Sequence, residues 1–131
     1  MQAKNEMEAI KALNEKVAGI VESGSNANGS YIKFVDGTLL QYGVYDTGST
    51  ELNKEYGSVF YDNKVHTFNF PLSFINKNIS ITSILRLKGG IGGVSLSDFN
   101  INSMSYYIFS TLSRNFTETA KIHWQAIGKW K

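Results

Sequence analysis

Apolar and polar positions along the chain are patterned most sharply between Asn28 and Gly43, where Asp36-Gly37 separates two runs rich in aromatic and branched residues, Tyr31 to Val35 and Thr38 to Val44. Asp followed by Gly tolerates the positive φ that both central residues of a type I′ turn require. A two-residue turn there predicts a hairpin in which Val35 faces Thr38, Phe34 faces Leu39, Lys33 faces Leu40, Ile32 faces Gln41 and Tyr31 faces Tyr42. Opposed residues share a face. One face then carries Phe34, Leu39 and Ile32, and the other Val35, Leu40, Tyr31 and Tyr42. Neither is purely polar, so both sides of the hairpin are expected to be covered by protein. The alternative is an ordinary surface hairpin whose Tyr and Lys stems are buried while their tips stay wet.

Ahead of this hairpin the period changes. Residues from about Lys4 to Glu22 hold no Pro, show no strand alternation and are dominated by Ala, Glu, Lys and Leu. Ile10, Leu13, Val17 and Ile20 fall at coiled-coil seam spacing, with Ala3 one heptad earlier and Glu6 interrupting the seam. Ser23-Gly24-Ser25 is the expected stop. Two heptads are too short to associate alone in water. Held beside an associating domain, they are expected to pair in parallel; the competing arrangement folds the helix back onto the β domain. This divides the chain into a stalk helix, residues 1–24, and a β domain, residues 25–131.

Beyond the hairpin the pattern is that of strands. The Tyr45 to Tyr61 connection, about 17 residues, is long for a structureless loop. Its aromatic end, Tyr56, Phe60 and Tyr61, is expected to lie partly on a sheet. Lys64 to Phe70 alternates Val65, Thr67 and Asn69 against His66, Phe68 and Phe70, and Pro71 ends it. Asn78 to Leu87 alternates Ile79, Ile81, Ser83, Leu85 and Leu87 against a mostly polar set. Gly89 to Gly93 is a flexible connector into a strand that starts near Val94. Met104 to Leu112 is apolar on both faces, with Met104, Tyr106, Ile108 and Leu112 opposite Tyr107 and Phe109, so it requires two covers. The last strand turns Ala120, Ile122, Trp124 and Ala126 one way and Lys121, His123, Gln125 and Ile127 the other. The expected fold is mainly β: an antiparallel β-sandwich of about six to seven strands preceded by an N-terminal coiled-coil helix.

Composition narrows the function classes. Charged residues make up 18% of the 131 and the net charge is +2, below the roughly 25% charged usual in soluble domains. A surface thin in charge is compatible with contacts between copies. No Lys/Arg cluster marks a nucleic-acid surface, and no run of about 18 apolar residues predicts membrane insertion. The absence of cysteine excludes disulfides and thiolate metal sites. Met1 to Lys4 does not open a secretory signal. No domain stands in front of the opening helix, so a longer protein upstream is expected.

Three blocks together carry a family resemblance: Tyr31-Ile32-Lys33-Phe34-Val35-Asp36-Gly37-Thr38-Leu39-Leu40-Gln41-Tyr42-Gly43, Phe68-Asn69-Phe70-Pro71-Leu72-Ser73-Phe74, and Ile122-His123-Trp124-Gln125-Ala126-Ile127-Gly128-Lys129-Trp130. Over about three quarters of its length, Gly29 to Trp130, the chain resembles the C-terminal domain of gp53-like phage tail-fibre proteins. More distantly it resembles the H-type lectin sandwich, which also ends near a Trp-x-Ala-apolar-Gly motif. The resemblance implies a homotrimeric tip domain on the virion tail, extracellular when it functions, joined to upstream fibre or baseplate proteins and binding a bacterial surface polysaccharide or glycan. In H-type lectins an aromatic after the second-last strand holds the sugar. Here that region reads Ser110-Thr111-Leu112-Ser113-Arg114-Asn115, so the architecture carries over and the sugar site does not.

Residue chemistry offers binding rather than catalysis. His66, on a face with Phe68 and Phe70, reads as a packed residue, and His123 is placed to line a threefold axis. Carboxylates stand at no glycosidase pairing. Gly89 to Gly93 lacks the Lys-Ser/Thr and helix of a phosphate loop. No enzyme, metal or cofactor is predicted. Strand counting brings the Lys88 to Gly93 and Ser113 to Glu118 connections to one end. There Lys88, Arg114, Asn115 and Glu118, with Tyr107 and Tyr56 for stacking, form the candidate glycan site; the plain alternative is solvated loops. The expected trimer contacts are Ile10, Leu13, Val17, Ile20, Tyr107, Phe109 and His123. A structural trimerisation cap without a ligand is the competing function.

Overall fold

The hairpin around Asp36-Gly37 forms, but with a three-residue loop. In a computed structural model, which describes residues 5–11, 19–114 and 119–131, β2 (Gly29–Phe34) pairs with β3 (Thr38–Ser49) so that Lys33 faces Leu39, Ile32 faces Leu40, Tyr31 faces Gln41 and Ser30 faces Tyr42. Gly37 N–H donates to Phe34 O at 3.0 Å, Gly37 has φ +96°, and the Asp36 carboxylate accepts from Thr38 N–H at 2.8 Å. This is a turn closed by a glycine bulge rather than a type I′ turn. The added loop residue shifts the register by one, and a one-residue slip exchanges faces. Leu39 and Ile32, expected together, lie on opposite faces, as do Tyr31 and Tyr42.

The coiled-coil helix through Glu22 does not form. The described helix covers residues 5–11, and from Ile20 to Asn26 the chain is strand β1, paired antiparallel to β2. Ser23-Gly24-Ser25 is therefore strand, not helix stop. Backbone pairing to β2 outweighs the seam pattern there, reinforced by Glu22, which pairs with Lys33 Nζ at 3.0 Å and accepts from Tyr31 OH at 3.1 Å. These partners hold the Glu22 carboxyl below its ordinary value and the Tyr31 phenol above its own. Ile20 stands exposed on β1. Ile10, on the described helix, is also exposed, while Leu13 and Val17 lie outside the described residues.

The remaining strands are β4 (Lys54–Tyr56), β5 (Val59–Tyr61), β6 (His66–Asn69), β7 (Ser80–Arg86), β8 (Gly92–Phe99), β9 (Ser103–Ser110) and β10 (Thr119–Lys129). They form two antiparallel five-stranded sheets, a sandwich. One runs β1-β2-β3-β10-β7; in the other, β8 lies along one edge of β9, while β6 and the β4–β5 hairpin share the opposite edge. The excess over six or seven comes mainly from β1 and from the β4–β5 hairpin, which occupies most of the long connection after Tyr45.

Between the sheets lie the inward sets expected for β6, β7, β9 and β10. Phe68, Met104, Tyr106, Ile108, Ala120, Ile122, Trp124 and Ala126 are buried, and Leu39 joins them through the true register. Phe68 is the centre. Its ring stacks on Tyr45 at 4.4 Å and on Tyr106 at 5.6 Å, and meets Trp124 at 5.9 Å, each contact adding about 0.5–1.5 kcal/mol to the area buried. Leu112, assigned inward from the sequence, lies past the end of β9 and is exposed.

Pro71 ends β6, and the next segment runs along the core. Gln41, fully buried, donates from Nε2 to Leu72 O at 2.9 Å and accepts from Leu72 N–H at 2.8 Å. One amide thus supplies both partners that a strand would have given this stretch of backbone. Gly19 O accepts from Val35 N–H, and Trp130 N–H donates to Gly37 O. Gly19, the hairpin turn and the C-terminal residues therefore share one end of the sandwich. The opposite, far end carries residues 50–53, 87–91 and 111–114, tied by Arg114 N–H to Leu52 O and by Thr111 N–H to Ile91 O.

Candidate functional site

The outer face of the second sheet carries a recess lined by aromatic rings. Strand alternation turns Tyr107 and Phe109 of β9 away from the core. Ser95 of β8 lies directly opposite Tyr107, and Gly93 opposite Phe109. A side chain at Gly93 would meet the Phe109 ring, its Cβ lying 2.8 Å from that ring, so the glycine is what lets Phe109 lie flat across β8. A bulge between Leu96 and Asp98 brings Ser97 to the same rim. On the other side, β5 pairs with β9 so that Tyr61 faces Phe109, and the β4–β5 hairpin adds Tyr56.

The result is a groove of about 390 Å³ lined by Tyr56, Val59, Tyr61, Ser95, Ser97, Tyr107, Ile108 and Phe109. Tyr56 meets Tyr61 edge to face at 5.3 Å, and Tyr61 is tilted against Tyr107 at 6.1 Å. Tyr56 and Tyr107 are exposed over 69% and 40% of their surface, so the rings face solvent. The Tyr61 hydroxyl donates to Asn63 Oδ1 at 2.9 Å, which fixes its ring. Asn63 sits at φ +56°, a conformation asparagine tolerates better than most residues.

The residues predicted from the sequence separate into three places. Lys88 and Arg114 do meet at the far end, where Arg114 Nη2 donates to Lys88 O at 2.7 Å; this guanidinium bond ties two loops together. Asn115 and Glu118 lie outside the described residues. Tyr107 and Phe109 belong to the groove. His123 lies on the outer face of the other sheet, between Val44 and Ile84, so the structure does not bring it together with Tyr107 and Phe109. Of the groove residues, Tyr61 was signalled by the aromatic end of the connection after Tyr45. Ser95 and Ser97 gave no signal, because their position depends on the β8–β9 register and the bulge.

A second, polar recess of about 310 Å³ is lined by Ser49, Thr50, Glu51, Asn53, Lys54, Asp62 and Lys64. Its buried carboxylate is fully engaged. Asp62 accepts from Thr50 Oγ1 at 2.8 Å and from Lys64 N–H at 3.1 Å, and His66 Nε2 lies 2.7 Å away. Buried and hydrogen-bonded, the pair pins β6 to the end of β3. His66 is thus the packed residue its face with Phe68 implied. Among the described residues no group of three metal-ligating side chains converges, and no helix is long and apolar enough to cross a membrane.

Residues 33–129 match the family model described as "Putative tail fiber protein gp53-like, C-terminal". No curated protein matches the chain. Among solved structures, an N-truncated R1-type pyocin tail fiber aligns with a TM-score of 0.53 at 16% identity, covering 90% of this chain and 94% of that one. A Pseudomonas aeruginosa R1 pyocin fiber comprising its C-terminal residues 323–701 aligns with a TM-score of 0.49 at 17% identity, covering 88% of this chain and 30% of that one. The former likeness concerns the fold. The family is one of tail-fibre C-terminal domains. The match takes in the turn and second strand of the first hairpin, the Phe-Pro-x-x-Phe block and the closing Trp-x-Ala-apolar-Gly motif, and on that ground the chain belongs to the gp53-like tail-fibre C-terminal domain family.

Proposed function

We propose that this domain is the receptor-binding tip of a phage or pyocin-like tail fibre, that it works as a homotrimer, and that it recognises a glycan on the bacterial surface. The observation that carries the reading is the groove on the outer face of the second sheet, built on three tyrosines of which Tyr56 and Tyr107 face solvent and Tyr61 is half-buried. Exposed aromatic clusters with a few polar groups around them are the usual construction of a ligand site. They are also costly to leave wet without a use. Gly19 enters at the opposite end of the sandwich from the loops at 50–53, 87–91 and 111–114. An attachment through the N-terminal side therefore leaves the far end, and the groove beside it, directed away from the particle. Three sites per fibre and several fibres per particle convert weak single contacts into durable attachment through effective concentration.

A structural cap is the second reading, and one observation favours it. The outer face of the first sheet is also apolar, with Tyr42, Val44, Ile84 and Ile127 exposed around His123. Copies covering that face would close a fibre without any ligand. Binding of the purified oligomer to host cells, and to their extracted surface polysaccharide, separates the two. Saturable binding lost on removal of the polysaccharide supports the tip. Intact trimers in light scattering with no binding to either support the cap.

A further inference from the structure

We infer that the Tyr56–Tyr61–Tyr107 groove takes an uncharged pyranose segment, held by ring stacking, and discriminates against anionic sugars. This rests on the receptor-binding reading and adds the ligand's chemistry and position to it. Among the described residues, no acidic or basic side chain lines the groove; its polar groups are hydroxyls, those of Ser95, Ser97 and the tyrosines. A uronate or sugar phosphate seated there would give up water for no countercharge, which is strongly unfavourable. An acyl chain would bury the serine and tyrosine hydroxyls without partners, which is also unfavourable. A neutral pyranose fits both demands. Its faces present C–H groups to aromatic rings, and its edge carries hydroxyls that both donate and accept.

The geometry supports stacking on successive rings tilted by 63° and 58° to one another. Tyr56, Tyr61 and Tyr107 follow one another at centroid spacings of 5.3 and 6.1 Å, with Ser95 directly across from Tyr107. Tyr61 is the fixed member, because its hydroxyl proton is committed to Asn63 and its oxygen remains free to accept. Phe109 floors the groove where Gly93 makes room. The Lys88–Arg114 pair, by contrast, offers charge on a different part of the surface, and Arg114 is engaged with the Lys88 carbonyl.

The experiment is saturation-transfer NMR and calorimetry on the intact protein, using neutral hexose and N-acetylhexosamine oligosaccharides beside uronate-containing and phosphorylated ones. Wild type is expected to bind a neutral oligosaccharide, with affinity changing less than about twofold between about 50 mM and about 500 mM salt, since no ion pair is screened. Tyr56→Ala and Tyr107→Ala are each expected to weaken binding about tenfold, the worth of one good aromatic contact, and Tyr56→Phe to retain most of it. Tyr56 is exposed, so its variant reports on binding without a folding defect; circular dichroism checks the others. Salt-sensitive binding of only acidic oligosaccharides, insensitive to Tyr56→Ala, would overturn the groove assignment while leaving the receptor-binding reading intact. Binding of no oligosaccharide, with host cells also unbound, overturns both. Loss of the oligomer on Tyr56→Ala assigns the groove to a second copy and overturns the site.

Discussion

At the residue scale, Tyr106 shows how one buried polar atom ties the two sheets together. Its ring stacks on Phe68, while its hydroxyl bonds Ser83 on the facing sheet and lies 3.4 Å from Met104 Sδ. Burial raises its phenol above the ordinary value, against a smaller lowering by the Ser83 hydrogen bond. The unfolded chain would lose this proton near pH 10, whereas the folded chain holds it longer. Stability from this group is therefore fully present below about pH 10 and declines as pH rises through the folded value. Tyr106→Phe is expected to lose about 1 kcal/mol at neutral pH, because Ser83 loses its partner. It is also expected to remove part of the alkaline decline. Denaturant unfolding of both proteins from about pH 8 to about pH 11 measures this; parallel curves across that range would show that the phenol does not contribute.

At the element scale, the first hairpin explains both what the sequence revealed and what it hid. Period-two alternation placed the inward residues of β6, β7, β9 and β10 correctly, since every second side chain must meet the opposing sheet. The Asp36-Gly37 pair marked the turn, yet the same dipeptide closes both a two-residue loop and a three-residue loop with a glycine bulge. Only the tertiary partners choose between them: Trp130 N–H binds Gly37 O at 2.9 Å and the Trp130 indole donates to Phe34 O at 2.9 Å, both from the far end of the sequence. β1 was hidden for a related reason. Ile20 continues the heptad spacing, but the strand is held by backbone pairing and by Glu22 contacts that no local pattern carries. Groove residues Ser95 and Ser97 depend on a bulge, again a property of a pair of strands. Gly37→Ala is expected to destabilise by roughly 1–2 kcal/mol, because φ +96° disfavours any Cβ and the new atom would stand 2.9 Å from Lys131 O. Thermal unfolding tests this. An unchanged Tm would mean that the turn relaxes to the two-residue form, a shift visible as a new pattern of amide chemical shifts along β2.

At the scale of the whole molecule, the sandwich has two outer faces that both expose apolar groups, and the proposed trimer has to account for them differently. The groove on the second sheet is concave and rimmed by serines, a form suited to a small ligand. The first sheet offers a flatter surface in ordered rows: Ile32, Leu40 and Ile127 in one, Tyr42 and Gln125 in the next, then Val44, His123 and Ile84. Below these, Asp46 stands opposite Lys121, which stands opposite Arg86, so the face ends in acid on one strand and base on another. A neighbouring copy seated on this face would cover the apolar rows and find complementary charge at their edge, a two-sided contact of the kind that closes rings. Ile84 is 64% exposed, so Ile84→Lys removes little packing within a single copy and is expected to leave the fold intact. It would, however, bring an unpaired ammonium into the contact. Sedimentation at matched concentrations is expected to show wild type near three times the chain mass and Ile84→Lys near one. Sugar binding per chain by the groove is expected to be unchanged, since the two faces lie on opposite sides of the core. Attachment to whole cells should nevertheless fall by far more than the per-chain affinity, because a single copy has no second site to rebind through. Should the variant remain trimeric, the first-sheet face is not the contact.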